Sequence, residues 1–368
     1  MYIIIALVAL VFVVLTGIVI ARLQNVLKSV KPSESADAEP SGNRWNGALF
    51  IVILIVGAVT ITWSYLHARE FFLPTASSVH GRRTDDLFWF SMGILTIPFI
   101  LVNFLIFFFA WKYQHKKNHR ASFYPDNHKL ELIWTIIPAI VMALLVFTGW
   151  KAWSDITADA PRDAEVIEIT GKQFNWIVRY PGVNDNKLGD YNFKLIDAQN
   201  EVGIDLSDEN SFDDFTNPSE MHIPVNRPVL LKIRARDVLH SVFIPHMRVK
   251  MDAVPGMPTK FWFVPDKTTA DMRAELNNPN FDYEIACTEI CGQGHFSMKM
   301  RLIVEDEASY KKWCAEQKTF LETYPEYLAK VPENLKAKAM KYVPAEAASP
   351  ADTSAASVGS GAVTSSLH

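Results

Sequence analysis

The sequence predicts a membrane-anchored protein in which transmembrane α-helices lead into an all-β sandwich outside the bilayer. Three observations carry this prediction. The first half holds long, almost uncharged apolar runs. After about residue 153 these give way to short segments of β-branched and aromatic residues separated by turn residues. Within the second half, Cys, His, Glu and Met crowd together between positions 287 and 298. The halves differ so much that whole-chain averages, 49% hydrophobic and a net charge of -4 over 368 residues, describe neither. The length allows two domains or more. Mild acidity without a basic stripe excludes nucleic acid as the main partner. Three cysteines are too few for a disulfide scaffold.

Four segments, 2–21, 47–66, 87–111 and 132–150, each approach the ~20 apolar residues that cross ~30 Å of hydrocarbon at 1.5 Å per residue. A chain in lipid must satisfy its own backbone polar groups, so each is predicted to be helical. Between Ile94 and Phe109 the strongly polar exception is Asn103, whereas a surface helix would show a polar face. Segment 1–21 has two readings, a retained extra helix or a cleaved signal segment. The lack of a basic start before the apolar run, and Arg22 after it, favour retention. Segment 22–46 reads as a cytoplasmic linker, with a flexible Ser/Ala/Pro/Glu-rich part at 32–43. Segment 47–66 is an extra helix, and 87–153 is a transmembrane hairpin. Lys112, Lys116, Lys117, Arg120 and Lys129 mark the hairpin loop as cytoplasmic, which places the later domain on the opposite side.

Residues 154–306 carry the β pattern. Glu165–Thr170, Phe174–Tyr180, Val229–Arg234, Phe261–Val264 and Met300–Val304 read as strands, with turns at Pro181-Gly182, Pro255-Gly256 and Asn277-Asn278-Pro279. An acidic insertion at 184–220 interrupts them, and such a run ordinarily forms a solvated loop. Residues 307–344 read as an amphipathic helical extension. Residues 345–368 are Ala, Ser, Gly and Thr rich and read as disordered.

The cluster at 287–298 is Cys-Thr-Glu-Ile-Cys-Gly-Gln-Gly-His-Phe-Ser-Met. Thiolate, imidazole and thioether are ligands that copper prefers, and a weak axial thioether tunes the potential of such sites. Two thiolates, Cys287 and Cys291, can bridge two copper ions. His295 supplies one imidazole and Met298 the thioether. A second imidazole must come from elsewhere, and His240, just after an apolar strand, is favoured over His246. Zinc on two Cys and two His is the competing reading. It has little use for the thioether.

These stretches resemble subunit II of the haem–copper cytochrome c oxidases over residues 87–318. The resemblance lies in Cys287-x-Glu289-x-Cys291-Gly-x-x-His295-x-x-Met298, in Asp237-Val-Leu-His240-Ser followed by Pro245, Lys250-Met-Asp252 and Pro255-Gly256, and in Glu131-Leu-Ile-Trp134-Thr-Ile-Ile-Pro138. It implies a cupredoxin-like, Greek-key copper domain. Cys287 and Cys291 would bridge a dinuclear copper centre, with His240 and His295 capping one ion each. Met298 and the Glu289 carbonyl would be axial ligands. The Glu289 side chain would reach a magnesium or manganese ion shared with subunit I, with Asp252 near that region. Glu131 would sit at the entry of a proton channel. A bacterial inner-membrane location follows, with the copper domain in the periplasm.

The chain departs from the family pattern at Gly171-Lys-Gln173-Phe174-Asn175-Trp176. Phe174 occupies the electron-entry position usually held by tryptophan, while Trp176 matches the second, packing tryptophan. The donor implied is cytochrome c or a cytochrome domain of a partner respiratory complex, and the acidic insertion either steers it or is solvated. No Cys-x-x-Cys-His occurs, so no covalent haem is expected. Cys314 reads as a free structural thiol. The function implied is electron entry into an oxygen-reducing, proton-pumping oxidase. A membrane-tethered copper carrier or assembly protein is the alternative, and it would need neither Glu131 nor Glu289.

Overall fold

The computed structural model describes residues 2–29, 43–116, 122–182 and 186–344. The tail 345–368, most of the linker 32–43, Lys117 and Arg120 of the basic loop, and Asp185 lie outside the described residues. The chain divides into two compact units, Met1–Ala68 with Leu95–Glu131, and Arg69–Ile94 with Leu132–His368.

Four long helices come first: α1 (Tyr2–Ser29), α2 (Asn43–Phe72), α3 (Val79–Lys112) and α4 (His128–Thr157). Among the described residues, α2, α3 and α4 are long and apolar enough to cross a membrane. The described apolar part of α1, Val14–Val26, is shorter than a span. Each of α2 to α4 runs beyond the apolar stretch that hydropathy marks out. The first turns of α3 contain Arg82, Arg83, Asp85 and Asp86, too polar to register as a span. Within these turns His80 and Gly81 are buried. At the start of α4, the Asn127 side chain accepts a hydrogen bond from the Leu130 N–H at 3.1 Å and caps the helix.

The soluble part is a two-sheet sandwich of β1 (Glu165–Lys172), β2 (Asn175–Tyr180), β3 (Phe215–Asn217), β4 (Glu220–Pro224), β5 (Val229–Ala235), β6 (His240–Ile244), β7 (Val249–Ala253), β8 (Thr259–Phe263), β9 (Tyr283–Cys287) and β10 (Lys299–Glu305). One sheet has the order β3-β2-β1-β5-β8 and the other β4-β10-β9-β6-β7. The pairs β1/β5 and β10/β4 are parallel, and the other pairings are antiparallel. Alternation sorts the side chains: Trp176, Val178 and Tyr180 of β2 face the buried sandwich core with Ile167, Ile169, Leu231, Val242 and Leu302.

The acidic insertion differs from the solvated loop that its composition suggests. Ile177 and Arg179 point to the outer face of β2, and the insertion covers them. Val202, Ile204, Leu206 and Phe212 pack there with Phe320, Leu321, Tyr327 and Val331 of the C-terminal extension, forming a second core. The extension comprises α6 (Glu307–Ala315), α7 (Phe320–Thr323) and α8 (Glu333–Ala339), with α5 (Thr269–Glu275) preceding β9. Several of the insertion's acids are matched by cations. Glu201 meets Lys172 and Arg236, Asp197 meets Lys330, and Glu209 meets Lys338. Deepest of all, fully buried Arg179 donates from Nε to Asp214 at 2.9 Å and from Nη2 to the Gly189 carbonyl at 3.0 Å. Hydropathy could not reveal this, because acidic residues look solvated until their cations are located.

Candidate metal centre

The predicted ligands converge at one end of the second sheet. His240 opens β6, and Cys287 closes the antiparallel β9, so the ladder that aligns Val242 with Cys287 sets them side by side. The loop after β9 then folds back, bringing Cys291, His295 and Met298 to the same place before β10. Gly292, at φ +133°, takes a conformation that side chains rarely adopt.

The donor atoms form a chain. His240 Nδ1 lies 3.9 Å from Cys287 Sγ, which lies 3.9 Å from Cys291 Sγ. Cys291 Sγ is 3.6 Å from His295 Nδ1 and 3.8 Å from Met298 Sδ. The Glu289 carbonyl oxygen stands 3.2 Å from Cys287 Sγ. Among the described residues, His240, Cys287 and Cys291 form a buried group that could hold a metal ion, their ligand atoms all within 4.8 Å of one another. All three cysteines are free. The donor set is soft, and its two thiols form the middle of the chain with an imidazole at each end. That arrangement fits copper in a thiolate-bridged pair and gives the thioether a use that zinc would not.

The surroundings hold this geometry. Asp237 Oδ1 is 2.9 Å from His240 Nε2, which leaves Nδ1 facing the thiols. Asp237 also accepts from the Gln173 N–H at 2.8 Å, and Gln173 Nε2 donates to the Cys291 carbonyl. Fully buried Trp176 lies edge-on to the His240 ring at 5.9 Å. The Phe174 ring rests on the metal loop itself. A Cβ at Gly294 would stand 2.4 Å from Phe174 Cγ, so that contact requires glycine. Phe174 still keeps 37% of its surface exposed. Burial, reinforced by neighbouring Cys287, pushes the Cys291 thiol up to about 11.

The other predicted residues are placed as follows. Glu131 lies outside the cluster, in the first turn of α4, where its carboxylate is 3.1 Å from His128 Nδ1. Asp252 is cross-strand from Ser241, exposed, and 3.7 Å from Lys250. His246 sits at the far end of β6 and packs edge-on to Phe281 and Tyr283, so it is no ligand. Burial pushes the Cys314 thiol up to about 11, away from the cluster. Sequence reasoning missed Asp237 and Gln173 as supports. For Asp237 a signal was available, a carboxylate three residues before His240; Gln173 had none, because its partners Asp237 and Cys291 lie far along the chain.

A membrane-anchored β-sandwich with a copper-suited thiolate and imidazole centre defines a class of respiratory electron-transfer proteins. Residues 66–151 match the cytochrome c oxidase subunit II transmembrane domain, and residues 165–306 match its periplasmic domain. The chain therefore belongs to the cytochrome c oxidase subunit II family, the electron-entry subunits of haem–copper oxidases. It is 30% identical to the alternative cytochrome c oxidase subunit 2 of Bradyrhizobium diazoefficiens, over 74% of this chain and 92% of the relative. It is 27% identical to cytochrome c oxidase subunit 2 of Cereibacter sphaeroides, over 66% of this chain and 78% of that one. The solved periplasmic domain of subunit II from Bradyrhizobium japonicum is 25% identical, covering 42% of this chain and 94% of that domain, with a TM-score of 0.29. The family implies a copper centre and assembly with the other oxidase subunits. The matched transmembrane model starts at residue 66, so α2 lies almost wholly before it as an extra apolar helix.

Proposed function

We propose that this chain holds a dinuclear copper centre on His240, Cys287, Cys291, His295, Met298 and the Glu289 carbonyl. Its role is electron entry, with a cytochrome c as donor and haem in subunit I as acceptor, where oxygen reduction drives proton pumping. The observation that carries the reading is the unbroken donor chain, with Sγ to Sγ at 3.9 Å and a ring nitrogen beyond each sulfur. When bound, such a centre supplies one-electron redox chemistry shared between two ions.

The chain's own residues do the rest. Both thiols give up their protons on loading, so metal uptake releases protons. Asp237 fixes the tautomer and angle of His240. Gln173 and Phe174 hold the Cys291–Gly294 backbone, which keeps the centre's geometry constant as its charge changes. Partly exposed and in contact with the metal loop, Phe174 offers the donor an apolar contact at the entry point, and Trp176 packs behind it. Glu289 contributes a carboxylate, a suitable hard ligand for magnesium or manganese at the border with subunit I. Glu131, paired with His128 at the end of a span, takes protons into subunit I. The domain faces the periplasm of a bacterial inner membrane, and α1 is a further membrane helix.

Copper content and paramagnetic resonance of the purified chain test the central claim. Two coppers sharing one unpaired electron are expected. A single copper with a localised spin, or zinc, would refute it. For Glu131, Glu131→Gln should slow turnover of the assembled oxidase while electron entry into the copper centre keeps its rate. Normal turnover in that variant would remove the proton role.

A further inference from the structure

We infer that Arg248 is a positioning residue for electron transfer out of the metal centre. It clamps the turn between β6 and β7 onto the first turns of α3 through Asp85. The inference rests on the copper reading above and goes beyond it, since Arg248 touches none of the ligands.

The turn 245–247 follows β6 directly and ends at Arg248, which adopts a left-handed conformation at φ +55° and ψ +30°. A left-handed residue costs a non-glycine side chain energy, and it turns the Arg248 side chain toward α3. There the guanidinium forms a two-pronged pair with Asp85, Nε to Oδ1 at 2.7 Å and Nη2 to Oδ2 at 2.9 Å. Its remaining N–H groups donate to the Pro74 and Pro245 carbonyls. The side chain is only 10% exposed. This planar fork uses donors that lysine cannot supply in one plane.

Other bonds join the same two elements. The Ser77 N–H donates to the His246 carbonyl at 2.7 Å, and Ser78 Oγ donates to the Met247 carbonyl at 2.8 Å. A Cβ at Gly81 would stand 3.2 Å from Arg248 Cγ and 3.3 Å from the Met247 carbonyl oxygen, so the chain at this glycine packs closely on the turn. Arg82 pairs with Asp266 just after β8. The consequence for the metal centre follows from the sheet. His240 begins the strand whose far end the clamp holds, and β6 is hydrogen-bonded to β9 beside Cys287. A sheet transmits displacement rather than absorbing it, because packed interiors have low compressibility. Holding the turn on α3 therefore fixes where the metal-bearing strands stand relative to the first turns of that helix.

The test uses the assembled oxidase. Arg248→Gly removes the fork but suits the left-handed backbone, and Asp85→Asn removes the charge while keeping the shape. In copper-depleted enzyme, amide exchange across 77–85 and 245–249 should accelerate by about tenfold or more, the scale of one lost charge-assisted hydrogen bond. In loaded enzyme, the internal step from copper to haem should slow severalfold, because electron transfer between fixed centres weakens as their separation and orientation drift. Donor-to-copper transfer and the paramagnetic signal should keep their wild-type form. An unchanged internal rate in both variants would overturn the inference. So would loss of the copper signal in both, because Arg248 would then serve folding alone. Absence of the dicopper signal in the wild type would instead refute the copper reading.

Discussion

The metal loop and the acidic insertion are both dense in ionisable residues, yet they are built on opposite logic. In the loop, donors of one kind converge. Two thiols, two imidazoles and a thioether face one another, and the Asp237 carboxylate binds an imidazole from behind. In the insertion, opposite charges meet and cancel, as with Arg179 and Asp214, Glu201 and Lys172, or Glu209 and Lys338. The first arrangement leaves its lone pairs free for a cation at its centre, while the second pairs its charges internally. Convergent donors without an internal counter-charge mark a site, and paired charges mark scaffold. The acidic insertion is accordingly support for the C-terminal extension, through the second core and the pairs Asp197–Lys330 and Glu209–Lys338.

Three variants can break or sharpen this contrast. The largest effect is expected at the loop. Cys291→Ser removes the thiol at the middle of the donor chain, and copper affinity should fall by more than about 100-fold, since outer supports alone are worth 10–100-fold. Metal analysis of the purified variant checks this, and retained copper would mean that the cluster is not the site. The second effect falls on the insertion. Arg179→Leu strands the Asp214 carboxylate in a fully buried position, which should cost about 3–5 kcal/mol. Chemical unfolding would show the loss, while copper binding by the remaining folded protein should stay intact. If copper were lost together with stability, the two regions would not be independent.

The smallest effect is a pH response. The Tyr327 hydroxyl first, then the Asn200 N–H and the Lys330 ammonium, hold the Asp197 carboxyl well below the usual carboxylate range. A carboxyl lowered on folding stabilises the folded form above its unfolded value, about 4. That contribution is lost as pH falls through the lower, folded value. Amide exchange in 320–331 should therefore accelerate on acidification below about pH 4. In Asp197→Asn, exchange should be faster already at neutral pH and flat across that range. A wild-type profile in the variant would show that the extension is held by its apolar contacts alone.

Much of this molecule is legible in its sequence. The apolar runs of α2, α3 and α4 stand out because lipid requires length and the absence of charge, and both are one-dimensional properties. Soft ligands at fixed spacing between 287 and 298 imply a metal because that chemistry depends on residue type and short-range reach. His240 was also legible, through its place after an apolar strand. Other features needed the tertiary structure. Neither the helical continuation of α3 through Arg82 and Asp85 nor the fork from Arg248 to Asp85 leaves a local signal, since each partner lies far away in the chain. The insertion misled for the same reason. Its composition determined only that acids would be present. Whether they met water or cations was decided by where the fold places Arg179 of β2, Lys172, Arg236 and the lysines of the C-terminal extension.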